Sequence, residues 1–140
     1  MDNLDAWYSM INEAKETHGY HFDEGLDHYL VLTLDSFLKD TNIKSNILAL
    51  LYLENIQHES FKTTQNIRYV GDQCLIISGL FPERAQKKNV SLNYYIELGK
   101  SSYLKLATAS QHLKLDHELF YRLSTHFVGL MDILHLLRKT

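Results

Sequence analysis

The chain has 140 residues and a mass of 16.4 kDa, the size of one ordinary domain, so two separate cores are not expected. Hydrophobic residues make up 45% and charged residues 22%, a globular balance that excludes disordered, collagen-like and low-complexity chains. The net charge of −3 argues against a dedicated nucleic-acid binder, and the one cysteine, Cys74, leaves no internal disulfide to form.

One Pro and six Gly leave little material for a turn-rich sandwich or barrel, and 24 Leu stand against 4 Val. Strands select β-branched residues, so this balance favours helices. The start, Met1-Asp2-Asn3-Leu4-Asp5, lacks the basic opening and apolar core of a signal peptide. The longest apolar run, Ile47 to Leu53, is seven residues against the roughly 18 that span a bilayer. The expectation is a cytoplasmic protein with no membrane insertion.

In chain order the first helix is predicted from about Leu4 to Thr17, with Asn3 as a candidate N-cap. The second starts near Asp23, whose carboxylate suits the exposed amides of a first turn. Its Leu26, Tyr29, Leu30, Leu34, Phe37 and Leu38 keep helical spacing. After the polar break Lys39 to Asn42, Thr41 or Ser45 can cap a third helix, Asn46 to Gln57. That helix is apolar nearly all round and is expected at the centre of the fold.

Ser60 is a candidate cap for a fourth helix, in which Ile67, Val70, Cys74, Ile77 and Phe81 recur at helical spacing. Cys74 to Ile77 alone is short and apolar enough for a buried strand. Helix is preferred because the stripe continues on both sides. Pro82 must end or kink it and suits the first position of a new turn through Glu83 to Lys88. The fifth helix begins at Ser91, with Val90 and Tyr95 as a hydrophobic staple, and lines Leu92, Tyr95, Ile96, Gly99, Tyr103 and Leu106 on one face. The sixth repeats that device with Leu115, Asp116 and Phe120. Its stripe runs Leu119, Leu123, Phe127, Leu130, Leu134, Leu137. The reading is all-α, a single bundle-like domain of about six helices over residues 1–140.

Charge is unevenly spread: residues 1–60 carry a formal −8 and residues 61–140 a formal +5. Acidic and basic helices packing side by side explain this, as does a polar surface that orients association. Arg84, Lys87, Lys88, Lys100 and Lys105 read as a solvated face, and no nucleic-acid partner is expected.

Eight histidines raise the question of a metal. Acid and His lie three or four apart in Glu24/His28, Glu54/His58 and Asp132/His135, about as often as chance provides from 8 His and 17 acids. No metal and no cofactor are expected. No nucleophile motif or Gly-rich phosphate loop occurs, and no catalytic residue is nominated. Cys74, on an apolar stripe, reads as a buried structural thiol.

The stretch from Arg68 to Arg84 is the most informative. Arg68 and Asp72 are four apart and can pair along a helix. Gly71 and Gly79 each cost about 1 kcal/mol against Ala in a helix interior, which points to a close approach, with Gly99 as a candidate partner. Arg68, Asp72, Ser78, Glu83, Arg84, Tyr94, Tyr95 and Tyr103 form a candidate binding set between the fourth and fifth helices. An anionic or aromatic small ligand suits those groups. A polar network that locks the helices together uses the same residues.

The run Gly71-Asp72-Gln73-Cys74-Leu75-Ile76-Ile77-Ser78-Gly79-Leu80-Phe81-Pro82-Glu83, with Tyr94-Tyr95, Gly99 and Tyr103, follows the pattern G-D-x-x-L-x-x-S-G-x-F-P-E … Y-Y-x-x-x-G-x-x-x-Y. This resembles a family of uncharacterised bacterial all-helical proteins. The resemblance implies a bacterial, cytoplasmic protein and carries no activity, cofactor or catalytic residue. Two functions are therefore expected in order. The first is a non-enzymatic interaction module, a homo-oligomer or an adaptor for another protein. The second is a small-ligand-binding or sensory domain with a polar pocket between the fourth and fifth helices.

Overall fold

The structure, a computed structural model, describes residues 3–39, 48–84 and 91–138. It is all-α. Seven α-helices lie among the described residues: α1 (Asn3–His18), α2 (Glu24–Lys39), α3 (Leu48–Asn55), α4 (Phe61–Leu80), α5 (Leu92–Ala107), α6 (His117–Thr125) and α7 (Phe127–Arg138). A short 3₁₀ turn, Gln111–Leu113, joins α5 to α6.

The axis of the fold is α4, 20 residues and about 30 Å long. It packs on α5, α7 and α3, while α1 and α2 form a hairpin whose free faces meet α7 and α6. Cys74 to Ile77 is helical, and buried residues run without interruption from Cys74 to Gly79. A fully apolar turn at this point is what a helix enclosed on all sides requires. The core is one cluster drawn from all seven helices, from Ile11 in α1 to Leu137 in α7.

Local chemistry sets the helix ends. Asp23 Oδ1 accepts the Leu26 amide at 2.9 Å, Ser91 Oγ accepts that of Tyr94 at 3.2 Å, and Asp116 Oδ1 accepts that of Leu119 at 3.1 Å. Ser60 and Thr63 form a capping box at the start of α4. The other end stops at Leu80, with Phe81 out of the helical region before Pro82. Leu115 and Phe120 both pack on the core, as the staple requires. Asn3 is the first helical residue of α1 rather than a cap outside it. Thr41, Ser45, Asn46, Val90 and the turn beyond Arg84 lie outside the described residues.

Two expectations are corrected. The predicted sixth helix divides at His126 into α6 and α7. Near the break Ser124 Oγ donates to Lys100 O of α5 at 2.9 Å and Thr125 Oγ1 to Arg122 O at 3.2 Å, while the His126 amide still donates to Arg122 O. The apolar stripe survives across the break: Leu123, Phe127, Leu130 and Leu134 are fully buried. The third helix is not central. It lies against α4 alone among its major packing partners, and its Leu50 and Leu53 are each 58% exposed. A helix apolar all round fits the centre only where neighbours exist on every side, and α4 occupies that place.

Gly71, Gly79 and Gly99 mark close approaches, but not to one another. A Cβ on Gly71 would stand 2.8 Å from the Tyr103 ring, and one on Gly79 2.6 Å from Leu134 Cβ. On Gly99 it would stand 2.5 Å from the Phe127 ring and 3.0 Å from Cys74 Cβ. Each glycine receives a large side chain from the facing helix, so Gly99 is not the partner of Gly71 or Gly79.

Candidate functional site

The candidate site forms where α2, α4 and α5 meet. Arg68 and Asp72 are one turn apart on α4, with Arg68 Nε 3.9 Å from Asp72 Oδ2. Tyr29 comes in from α2 and Tyr103 from α5. Both phenols donate to Asp72 Oδ1, at 2.5 and 2.7 Å respectively. Tyr29 Oη also accepts from Arg68 Nε at 3.0 Å, and the guanidinium lies 4.9 Å from the centre of the Tyr29 ring. The ring of Phe120, from α6, stands edge-on to Tyr29 and stacks against Tyr103. Three helices thus converge on one carboxylate, with α6 packed against both phenol rings.

Burial dominates the electrostatics. It raises Asp72 above the usual carboxylate range, against the lowering pull of the two phenols and of Arg68. Burial, then the Asp72 charge, pushes both phenols far above the ordinary tyrosine value, although Arg68 opposes the shift at Tyr29. The phenols therefore keep their protons and act as donors. Arg68 stays charged and its side chain is 48% exposed. Among the described residues its hydrogen bonding is confined to Nε, and the two terminal nitrogens have no partner.

Arg68 and Gln65 form the wall shared by two clefts. One, of about 360 Å³, is polar: Thr33, Ser36, Asp72 and Gln73 line it, over Phe37 and Ile76. Gln73 Oε1 is buried there without a hydrogen-bond partner. The other, of about 490 Å³, runs between α2, the start of α4 and the segment leading into α6. It is walled by Leu32, Phe61, Leu115, Leu119 and Phe120.

Of the eight candidate residues, Arg68, Asp72 and Tyr103 come together. Ser78 is buried and donates to Cys74 O at 2.7 Å, within its own helix. Glu83 pairs with Arg138 at 2.6 Å, while Arg138 also donates to Leu80 O, which fastens the end of α4 to α7. Arg84 lies over Phe81, Tyr95 is a core residue, and Tyr94 is exposed. None of these five lines either cleft.

Tyr29 belongs to the site, although sequence periodicity marks it only as part of the α2 core stripe. Its signal was present: a phenol at a fully buried stripe position needs a polar partner, and Asp72 on the apolar helix needs a donor. Cys74 is buried, and burial followed by the Asp72 charge pushes its thiol far up, away from the thiolate.

Among the described residues no group of His, Cys, Asp and Glu has the arrangement of a metal centre, and no helix is long and apolar enough to cross a membrane. No protein-family model matches the chain, and searches of curated proteins and of solved structures found no similar protein.

Proposed function

We propose that this chain is a small-molecule-binding helical domain whose site is the pair of clefts sharing Arg68. One observation carries the reading. A half-exposed guanidinium is held by Tyr29 at Nε while its two terminal nitrogens stay without protein partners at the boundary of both clefts. The polar lining of the smaller cleft, Thr33, Ser36, Asp72 and Gln73, supports it by adding hydrogen-bonding groups beside Arg68. The role is binding rather than catalysis: both phenols are committed to Asp72 as hydrogen-bond donors, and their proton affinity is raised further above the ordinary tyrosine value.

The test is thermal stability of wild type and Arg68→Ala against a panel of small organic anions. Native mass spectrometry of the purified protein runs beside it. Stabilisation by a panel member that disappears in Arg68→Ala supports the reading. Equal shifts in both proteins, or none in either, overturn it.

A different observation favours a second reading, an interaction module that self-associates in a bacterial cytosol. Leu50 and Leu53 are three apart on the outer face of α3 and are each 58% exposed. The second copy is the occupant that the opposed charges of residues 1–60 and 61–140 fit. Light scattering on wild type and Leu53→Asp decides it. A multimer that dissociates in the variant supports self-association, and a monomer in both removes it.

A further inference from the structure

The apolar cleft has a wall and a rim of different chemistry. Leu32, Phe61, Leu115, Leu119 and Phe120 form an apolar wall, and Arg68, Lys114 and His28 stand around it. The one carboxylate lining this cleft, Asp116, is engaged as the N-cap of α6 through Oδ1. His28 Nδ1 is hydrogen-bonded to Tyr8 Oη, which leaves its other ring nitrogen for the cleft. Among the described residues Lys114 forms no ion pair. The surroundings therefore combine a large apolar surface with two cationic side chains, of which Arg68 is paired with Asp72 through Nε alone and Lys114 has no ion-pair partner among the described residues.

Lys114 has a second property. It is the only described non-glycine residue with a positive φ, 56°, and it caps the 3₁₀ turn in the left-handed region that favours glycine. Lys114 thus lines the cleft from a backbone conformation in which glycine is the comfortable residue, at a backbone cost.

We infer that this cleft takes an amphipathic monocarboxylate, an aliphatic or arylalkyl acid whose body lies against Leu115, Leu119 and Phe120 and whose carboxylate meets Arg68 and Lys114. The inference rests on the reading of Arg68 as a ligand-binding residue and assigns to it the cleft, the ligand class and the second cation. The free terminal nitrogens of Arg68 present the planar fork that a carboxylate matches, and Lys114 adds a point charge. The neighbouring polar cleft is lined instead by Thr33, Ser36, Asp72 and Gln73 and suits a hydrogen-bonding ligand.

The probes are octanoate and octan-1-ol, which share an apolar body and differ in charge, followed by backbone amide shifts and calorimetric titration. The variant is Lys114→Gly, which removes the ammonium and suits the left-handed backbone, so it folds at least as well as wild type. Octanoate is expected to shift the amides of Leu115, Leu119 and Phe120 and to bind more tightly than octan-1-ol. Lys114→Gly is expected to weaken octanoate about two- to fivefold and to leave octan-1-ol unchanged. Arg68→Gln is expected to weaken octanoate about tenfold or more.

Equal binding of acid and alcohol, an unchanged affinity in Lys114→Gly, or no octanoate binding at all overturns the assignment. Shifts confined to Ser36 and Gln73 also overturn it while placing a ligand in the polar cleft, where the reading of Arg68 still holds. Failure of both readings is recognised separately, by a panel in which no compound responds to Arg68→Ala.

Discussion

The Tyr103 hydroxyl donates to Asp72 Oδ1 across 2.7 Å, and the same ring lies where a Cβ on Gly71, the residue before Asp72, would come within 2.8 Å. The missing side chain at Gly71 admits the ring, and the ring carries the donor that the partly buried carboxylate needs. Packing and polar satisfaction are thus one arrangement on two adjacent residues of α4.

Tyr103→Phe keeps the ring and removes the donor. It is expected to cost about 1–3 kcal/mol in urea unfolding, because Asp72 Oδ1 then relies on Tyr29 alone. Tyr29→Phe is expected to cost a similar amount and also to release Arg68 Nε. The double variant should depart from the sum of the two, since both phenols serve one oxygen. Additive costs would show that the hydroxyls act independently.

Gly99→Ala places a methyl 2.5 Å from the Phe127 ring, with Cys74 Cβ 3.0 Å away on another side. Alanine gains about 1 kcal/mol in helix propensity, yet overpacking here is expected to leave a net loss of about 1–3 kcal/mol. An unchanged or raised midpoint of thermal unfolding would mean that α5 and α7 separate without cost.

Asp72 gives a pH dependence whose sign follows from burial. Its proton is held more tightly in the folded chain than in the unfolded one, where the value is about 3.9. Its contribution to stability is therefore full below that value and declines as pH rises through the higher folded value. Asp72→Asn has no such proton. The stability of wild type relative to the variant should fall as pH rises above the unfolded carboxylate value, as measured by denaturant titration at each pH. A difference that grows with pH would refute the desolvated carboxylate.

Cys74 should be silent towards a thiol reagent such as Ellman's in the folded protein and reactive in urea. Burial both excludes the reagent and disfavours the thiolate. A stoichiometric fast reaction under native conditions would contradict the packing of α4 around it.

Much of the fold was legible along the chain because it depends on local chemistry. Ser60, Ser91 and Asp116 sit where helices need acceptors, Pro82 follows the end of α4, and the stripe Ile67, Val70, Cys74, Ile77 is buried. Periodicity could not reveal the break at His126, because the apolar stripe continues through it from Leu123 to Phe127. Nor could apolar composition place α3, because exposure of Leu50 and Leu53 depends on how many neighbours the helix finds.

The same division holds for the site. The sequence by itself determined that Arg68 and Asp72 share a helix face, because a spacing of four is local geometry. It also determined that phenols and a charged pair accompany an apolar helix. Only the tertiary structure decided which phenols meet Asp72, since Tyr29, Asp72 and Tyr103 lie on three helices and join only through the docking of α2 and α5 on α4. It also decided that Ser78, Glu83, Arg84, Tyr94 and Tyr95 serve elsewhere. Nearness in sequence constrains the direction of a side chain within one helix, and the crossing of helices decides what it meets.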